Sequence, residues 1–218
     1  MTDTRRDFLA GAAGTALFAG IGADARAAAM TRTGGDLTAR MSWTNEPARV
    51  SYPEGGVMAR SKPKTDFWRK TYYGYITDNG HFFHLPVSGE FTFEARVIGK
   101  YASLYDQAGL MVRLDEKHWM KCGSEFFESR RWASVVFTHD FSDWSTLDDL
   151  SQTGPVWWRV ARKKDSIEAQ CSTDGKTFLT VRQGYFPPAV EVQVGVMCAA
   201  PEGAGFDAAF DNLRLAQT

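Results

Sequence analysis

The chain reads as an all-β domain, either a two-sheet sandwich or a barrel. Three observations carry that reading. Apolar and polar residues alternate with period two through most of residues 41–218. Turn formers interrupt the alternation at short intervals, as at Asp115-Glu116-Lys117, Asp165-Ser166 and Asp174-Gly175. No run of ten or more residues carries a persuasive helical period, and no repeat, low-complexity tract or interior linker is visible.

The chain opens with "MTDTRRDFLAGAAGTALFAGIGADARAAA". Thr4-Arg5-Arg6-Asp7-Phe8-Leu9 resembles a twin-arginine export motif, the run Leu9 to Ala23 is weakly hydrophobic, and Ala25-Arg26-Ala27 is a small-x-small cleavage signal. Residues 1–27 are therefore expected to be a twin-arginine signal peptide cleaved after Ala27. The product is expected to be periplasmic or extracellular. That route implies a cargo that crosses the membrane already folded. The apolar run is too short and too rich in Gly to span a bilayer, so no membrane association is expected after cleavage. Residues 28–40 are small and polar and read as a flexible lead-in, and 41–218 read as a single domain.

Within the domain, "GEFTFEARVIG" sets Phe91, Phe93, Ala95 and Val97 against Thr92, Glu94 and Arg96, as a half-buried strand does. "ASVVFTHDF" is a strand-rich run. "VWWRVARK" and "SIEAQCSTDGKTFLTVRQ" predict three strands, with a type I′ hairpin turn at Asp174-Gly175, where positive φ is needed. "SDWSTLDDLSQ" reads as a loop with at most one helical turn. "VEVQVGVMCAA" and "AGFDAAFDNLRL" close the domain.

The chain has 218 residues, enough for one domain with a sizeable core. Lys and Arg number 25 against 26 Asp and Glu, a net charge of −1. Such a balance lacks the basic excess of a general nucleic-acid binder, and no nucleic-acid partner is expected. There is no G-x-G-x-x-G, phosphate loop or C-x-x-C, so no cofactor is expected. Cys122, Cys171 and Cys198 each alternate in phase with apolar neighbours, which favours three buried thiols over a disulfide or a metal site.

The stretch "YDQAGLMVRLDEKHWMKCGSEFF" can be built outward from its turn. With Asp115-Glu116-Lys117 as the turn, Arg113 pairs with Trp119, Met111 with Lys121, Gly109 with Gly123 and Gln107 with Glu125. Opposed residues share a face. Gln107, Arg113, Trp119, Lys121 and Glu125 then lie on one side, and Leu110, Val112, Met120 and Cys122 on the other.

Together, "DFWRKTYYGYITDNGH" (66–81), "YDQAGLMVRLDEKHWMKCGSEF" (105–126), "FSDWS" (141–145) and "QVGVMCAAPEGAGFDAAFDN" (193–212) resemble the regulation-of-enolase-like family, a domain of unknown function. The resemblance runs from about Trp43 to Leu215. That family is placed in the concanavalin A-like lectin/glucanase superfamily. It implies a jelly-roll sandwich of two curved antiparallel sheets, and its superfamily suggests carbohydrate as the ligand class. It brings no established catalytic residues.

On such a sandwich, the mixed face of the hairpin would be a solvent-facing concave groove. Trp119 would stack on a sugar ring, while Gln107, Arg113, Lys121 and Glu125 would bond its hydroxyls. Trp68, Arg69 and His81, from the aromatic and charged stretch 66–81, are expected beside them. His81 and His84 have H-x-x-H spacing, but a strand sends them to opposite faces, so no metal site is expected there. Ser134, His139 and Asp143 lack a nucleophile elbow around the serine. Glu125 and Glu128 would point to opposite faces of a continuing strand, which argues against a glycosidase pair. The expected function is a non-catalytic, exported, glycan-binding domain. The alternatives are a polysaccharide lyase or hydrolase using the same groove, or a protein-interaction module.

Overall fold

The computed structural model describes residues 37–148, 152–188 and 191–217. The expected signal peptide and residues 28–36 lie outside the described residues. The remainder of the expected lead-in is not loose. Leu37–Arg40 form a turn of 3-10 helix in which Thr38 is buried and Leu37 packs on the core.

The strands are β1 (Ser42–Thr44), β2 (Arg49–Ser51), β3 (Gly56–Arg60), β4 (Phe67–Arg69), β5 (Ile76–Asp78), β6 (His81–Ser88), β7 (Phe91–Gly99) and β8 (Gln107–Arg113). They continue with β9 (His118–Phe127), β10 (Arg130–His139), β11 (Phe141–Asp148), β12 (Val156–Lys163), β13 (Ser166–Ser172), β14 (Leu179–Tyr185), β15 (Glu191–Ala199) and β16 (Asp207–Gln217). They form a jelly-roll sandwich. The first sheet has the order β1-β6-β15-β8-β9-β10-β11 and the second β14-β13-β12-β7-β16-β3-β2. A third, two-stranded sheet pairs β4 with β5.

Alternation decides what fills the sandwich. Phe83, Leu85 and Val87 of β6, Leu110 and Val112 of β8, Met120 and Cys122 of β9, and Val135 and Phe137 of β10 point inward from the first sheet. They meet Phe91, Phe93, Ala95 and Val97 of β7, Trp158 and Val160 of β12, and Ile167, Ala169 and Cys171 of β13. Burying each large apolar side chain of this set contributes roughly 1.5–3 kcal/mol. All three cysteines are buried in this core.

The predicted hairpin register is observed pair for pair. Gln107 faces Glu125, Gly109 faces Gly123, Met111 faces Lys121 and Arg113 faces Trp119. The turn is held by the Asp115 carboxylate, which accepts from the backbone N–H groups of Lys117 at 2.7 Å and His118 at 2.8 Å.

Three expectations need correction. Phe141–Asp148 is not a loop but β11, an edge strand paired with β10 along its length. Its polar residues suit an edge that must not recruit further strands. β13 and β14 are not joined by a two-residue turn. Asp174 instead folds a longer loop around its side chain, accepting from the N–H groups of Lys176 and Thr177, with Gly175 at φ 69°. Glu128 does not continue β9. With Ser129 it makes the turn into β10 at positive φ.

Candidate functional site

The outer face of the first sheet carries the chemistry. Cross-strand pairing arranges it in rows. One row runs Asp148, Trp132, Glu125, Gln107 and Ala199, and the next runs Thr146, Ser134, Gly123, Gly109 and Met197. The next runs Trp144, Val136, Lys121, Met111 and Gly195, and the last Ser142, Thr138, Trp119, Arg113 and Gln193.

Half of this face is covered by the chain itself. The β4–β5 hairpin lies on it and seals a second apolar cluster of Phe67, Trp68, Phe82, Met111, Trp119, Val136, Met197 and Ala199. The expectation of a solvent-facing groove fails here. Trp119 is 1% exposed, and its ring packs against Phe67 at 6.2 Å between centroids. Trp68 is buried in the same cluster, with its indole N–H donating to the Thr71 carbonyl. Arg113 makes a two-pronged ion pair with Asp78, at 2.6 and 2.7 Å. Lys121 Nζ donates to the Phe67 carbonyl at 2.7 Å and lies 3.2 Å from Asp66 Oδ1. Gln107 Nε2 donates to the same Asp66 oxygen. Arg69 pairs with Asp140 at 2.9 Å, and its backbone N–H donates to the Ser142 hydroxyl. The donors on this face therefore hold the hairpin.

His81 is not at the face. Its Nε2 accepts from the Lys62 N–H at 2.9 Å and its Nδ1 donates to the Asn45 carbonyl. Burial lowers its pKa, and both bonds suit the neutral ring. His84 points to the opposite side of β6, as its spacing requires, and stacks on Phe82. Ser134 and His139 fall on opposite faces of β10, and Asp143 pairs with Arg182, so these three do not assemble.

A further small space lies over the first two rows. This cleft is lined by Gln107, Lys121, Glu125, Ser134 and Met197. It has room for about one water. Its floor is the Gly109–Gly123 pair, where a Cβ on Gly109 would sit 1.9 Å from the Cys122 carbonyl oxygen. Two glycines opposite one another let β8 and β9 approach closely and leave the space above them free of side chains.

Glu125 is at the end of this cleft. It accepts from the Trp144 indole N–H at 3.0 Å, and that same N–H also reaches the Ser134 hydroxyl at 3.0 Å. Burial pushes the Glu125 carboxyl above its ordinary range, against the opposing pull of the Lys121 ammonium. Next to Glu125, joined to it through Trp144, stand four partly exposed aromatic rings. Phe127 stacks on Trp132 at 5.1 Å and meets Trp144 edge-on at 5.4 Å, and Tyr105 closes the group against Phe127 and Trp144. Of the eight residues expected to bind ligand, Gln107, Lys121 and Glu125 reach this opening. Trp144 does too, although the reading of its segment as a loop hid it. Its signal was present as the alternation of Ser142, Trp144 and Thr146.

Comparisons with known proteins agree with this fold. The family described as "Protein of unknown function (DUF1349)" matches residues 43–218. "Regulation of enolase protein 1" of Saccharomyces cerevisiae is 40% identical over 174 residues, 80% of this chain and 88% of that protein. A crystal structure of a functionally unknown protein from Saccharomyces cerevisiae superposes with a TM-score of 0.81 at 39% identity, covering 83% of this chain and 98% of that one. The carbohydrate-binding module CBM66 from Bacillus subtilis superposes at 0.54 with 13% identity, covering 80% of this chain and 95% of the module. At that identity the likeness is one of fold.

Proposed function

We propose that this chain, which belongs to the DUF1349 family of proteins of unknown function, is an exported, non-catalytic module that binds a glycan on the uncovered part of its first sheet. One observation carries the reading. Four partly exposed aromatic rings, Tyr105, Phe127, Trp132 and Trp144, form one cluster, and its Trp144 indole N–H is tied to Glu125 and Ser134 of the adjoining cleft. Aromatic rings next to convergent donors and acceptors suit a sugar, which has an apolar C–H face and a hydroxyl rim. Glu125, whose carboxyl burial raises above its ordinary range, accepts from the Trp144 indole N–H beside the cleft. The likeness of the fold to a carbohydrate-binding module supports the ligand class. Export rests on Arg5-Arg6 and on Ala25-Arg26-Ala27.

A second reading has its own observation. Burial raises the Glu125 carboxyl, the direction a general acid needs, and Asp66 shares Lys121 with it. The cleft has room for about one water, so a glycan would lie on the aromatic rings outside it, away from Glu125 as a proton donor, which favours binding over cleavage. The test is a screen of the purified protein against neutral and uronate-containing polysaccharides, with reducing ends and unsaturated-uronate absorbance followed in parallel. Binding without product supports the module. New ends or absorbance establish the enzyme. A co-purifying protein with no glycan bound would instead favour a protein partner.

A further inference from the structure

Resting on that reading, we infer that the ligand is an extended oligosaccharide, and that the tip of the β4–β5 hairpin is a second aromatic platform for it. The tip presents Tyr72, Tyr73 and Tyr75. Tyr73 stacks on Tyr75 at 5.5 Å with 22° between planes, and Tyr72 meets Tyr73 edge-on at 4.8 Å. Tyr72 is 92% exposed although its backbone is left-handed, at φ 63°. A tyrosine in that conformation is disfavoured. The burial of its own ring does not offset this, because the ring remains in solvent.

The tip is nonetheless rigidly held. The Lys70 N–H donates to the Tyr75 carbonyl at 2.7 Å, and the Gly74 N–H donates to the Lys70 carbonyl at 2.6 Å. Lys70 Nζ pairs with Asp140 and lies 4.8 Å from the centre of the Phe141 ring. A platform fixed before binding loses little conformational entropy on meeting its ligand.

Its position joins it to the first platform. The hairpin is tied to β11 through the Arg69 N–H and the Ser142 hydroxyl. Trp144 lies two residues further along β11 on the same face, roughly 7 Å away along the strand. Phe127 and Trp132 lie beyond it. The two aromatic groups are thus anchored to the same edge strand, the tip at its start through Lys70, Asp140 and Phe141 and the other group further along it through Trp144. A single ring cannot cover both groups, whereas a chain of linked rings can. Separated stacked rings with polar edges fit a repeating sugar better than a continuous apolar protein surface.

The experiment uses the purified protein and β-1,4-linked xylo- and gluco-oligosaccharides from disaccharide to hexasaccharide, with affinities measured by calorimetry. Affinity should climb with length. Tyr72→Asn with Tyr75→Ser, in which Asn keeps the left-handed backbone acceptable, should weaken hexasaccharide binding by about fivefold. It should leave the disaccharide and the thermal midpoint unchanged. Affinity independent of length, or a variant that binds every length like the wild type, overturns the second platform and leaves the glycan-binding reading standing. No binding of these oligosaccharides at any length overturns the inference for a neutral β-1,4-linked ligand, and the glycan-binding reading itself falls only if the wider screen of neutral and uronate-containing polysaccharides is also negative.

Discussion

Lys121 Nζ lies 3.2 Å from Asp66 Oδ1, and the two side chains are 7% and 15% exposed. This pair ties the hairpin to the sheet face it covers. Lys121→Ala leaves Asp66 buried with less compensation and should cost about 3–5 kcal/mol in chemical denaturation. The double variant Lys121→Met, Asp66→Asn should cost clearly less than the single variants Lys121→Met and Asp66→Asn added together. Additive losses would mean that the pair is not coupled.

Gly109→Ala tests the floor of the cleft. Its Cβ would sit 1.9 Å from the Cys122 carbonyl oxygen and 2.4 Å from the Gly123 Cα, so β8 and β9 must part. We expect a loss of about 3 kcal/mol or failure to fold, read as the urea midpoint. A variant as stable as the wild type would contradict the close approach.

The register of β8 and β9 was legible in the sequence because its cause is local. Asp115 makes the turn, and alternation then assigns every side chain a face. What lies over that face was not legible. Phe67 and Trp68 belong to a segment some forty residues earlier, and no periodicity states that they cover Trp119. Arg113 and Lys121 read as ligand donors because a charge on a sheet face looks the same whether it awaits a sugar or the chain's own Asp78 and Asp66. Trp144 was missed for a different reason. Ser and Asp favour turns over strands, yet an edge strand tolerates them. At the hairpin tip, Lys70, Tyr72 and Gly74 take positive φ in turn, and only the glycine announces this.

The thiols give a chemical check. Burial pushes the Cys198 thiol up to about 12 and raises Cys122 further. Native protein should react with a thiol probe only as fast as it unfolds. Denatured, unreduced protein should release three equivalents. Rapid labelling of the native protein would contradict the buried placement.

Two pH limbs are expected, of opposite sign. Burial lowers the pKa of His81 and His84 in the folded state below 6.5. The unfolded chain then binds those protons more tightly, so stability is full above about 6.5 and is lost as pH falls through the lowered values. Glu125 is raised above 4.5 by burial. Its contribution is full below 4.5 and is lost as pH rises through the raised value. In urea unfolding across pH, Glu125→Gln should flatten the second limb and leave the first. An unchanged second limb would show that Glu125 does not titrate as its burial implies.

The most direct test of the glycan-binding face is the indole N–H spectrum of the protein's seven tryptophans during titration with an oligosaccharide selected by the screen. Trp144 and Trp132 border the cleft, Trp119 and Trp158 are buried, and Trp157 belongs to the second sheet. The account predicts that the Trp144 and Trp132 signals move with ligand, that those of Trp157 and Trp158 stay, and that Trp144→Ala weakens binding roughly five- to tenfold. Movement of Trp157 with Trp144 unmoved, or undiminished affinity in Trp144→Ala, would contradict it.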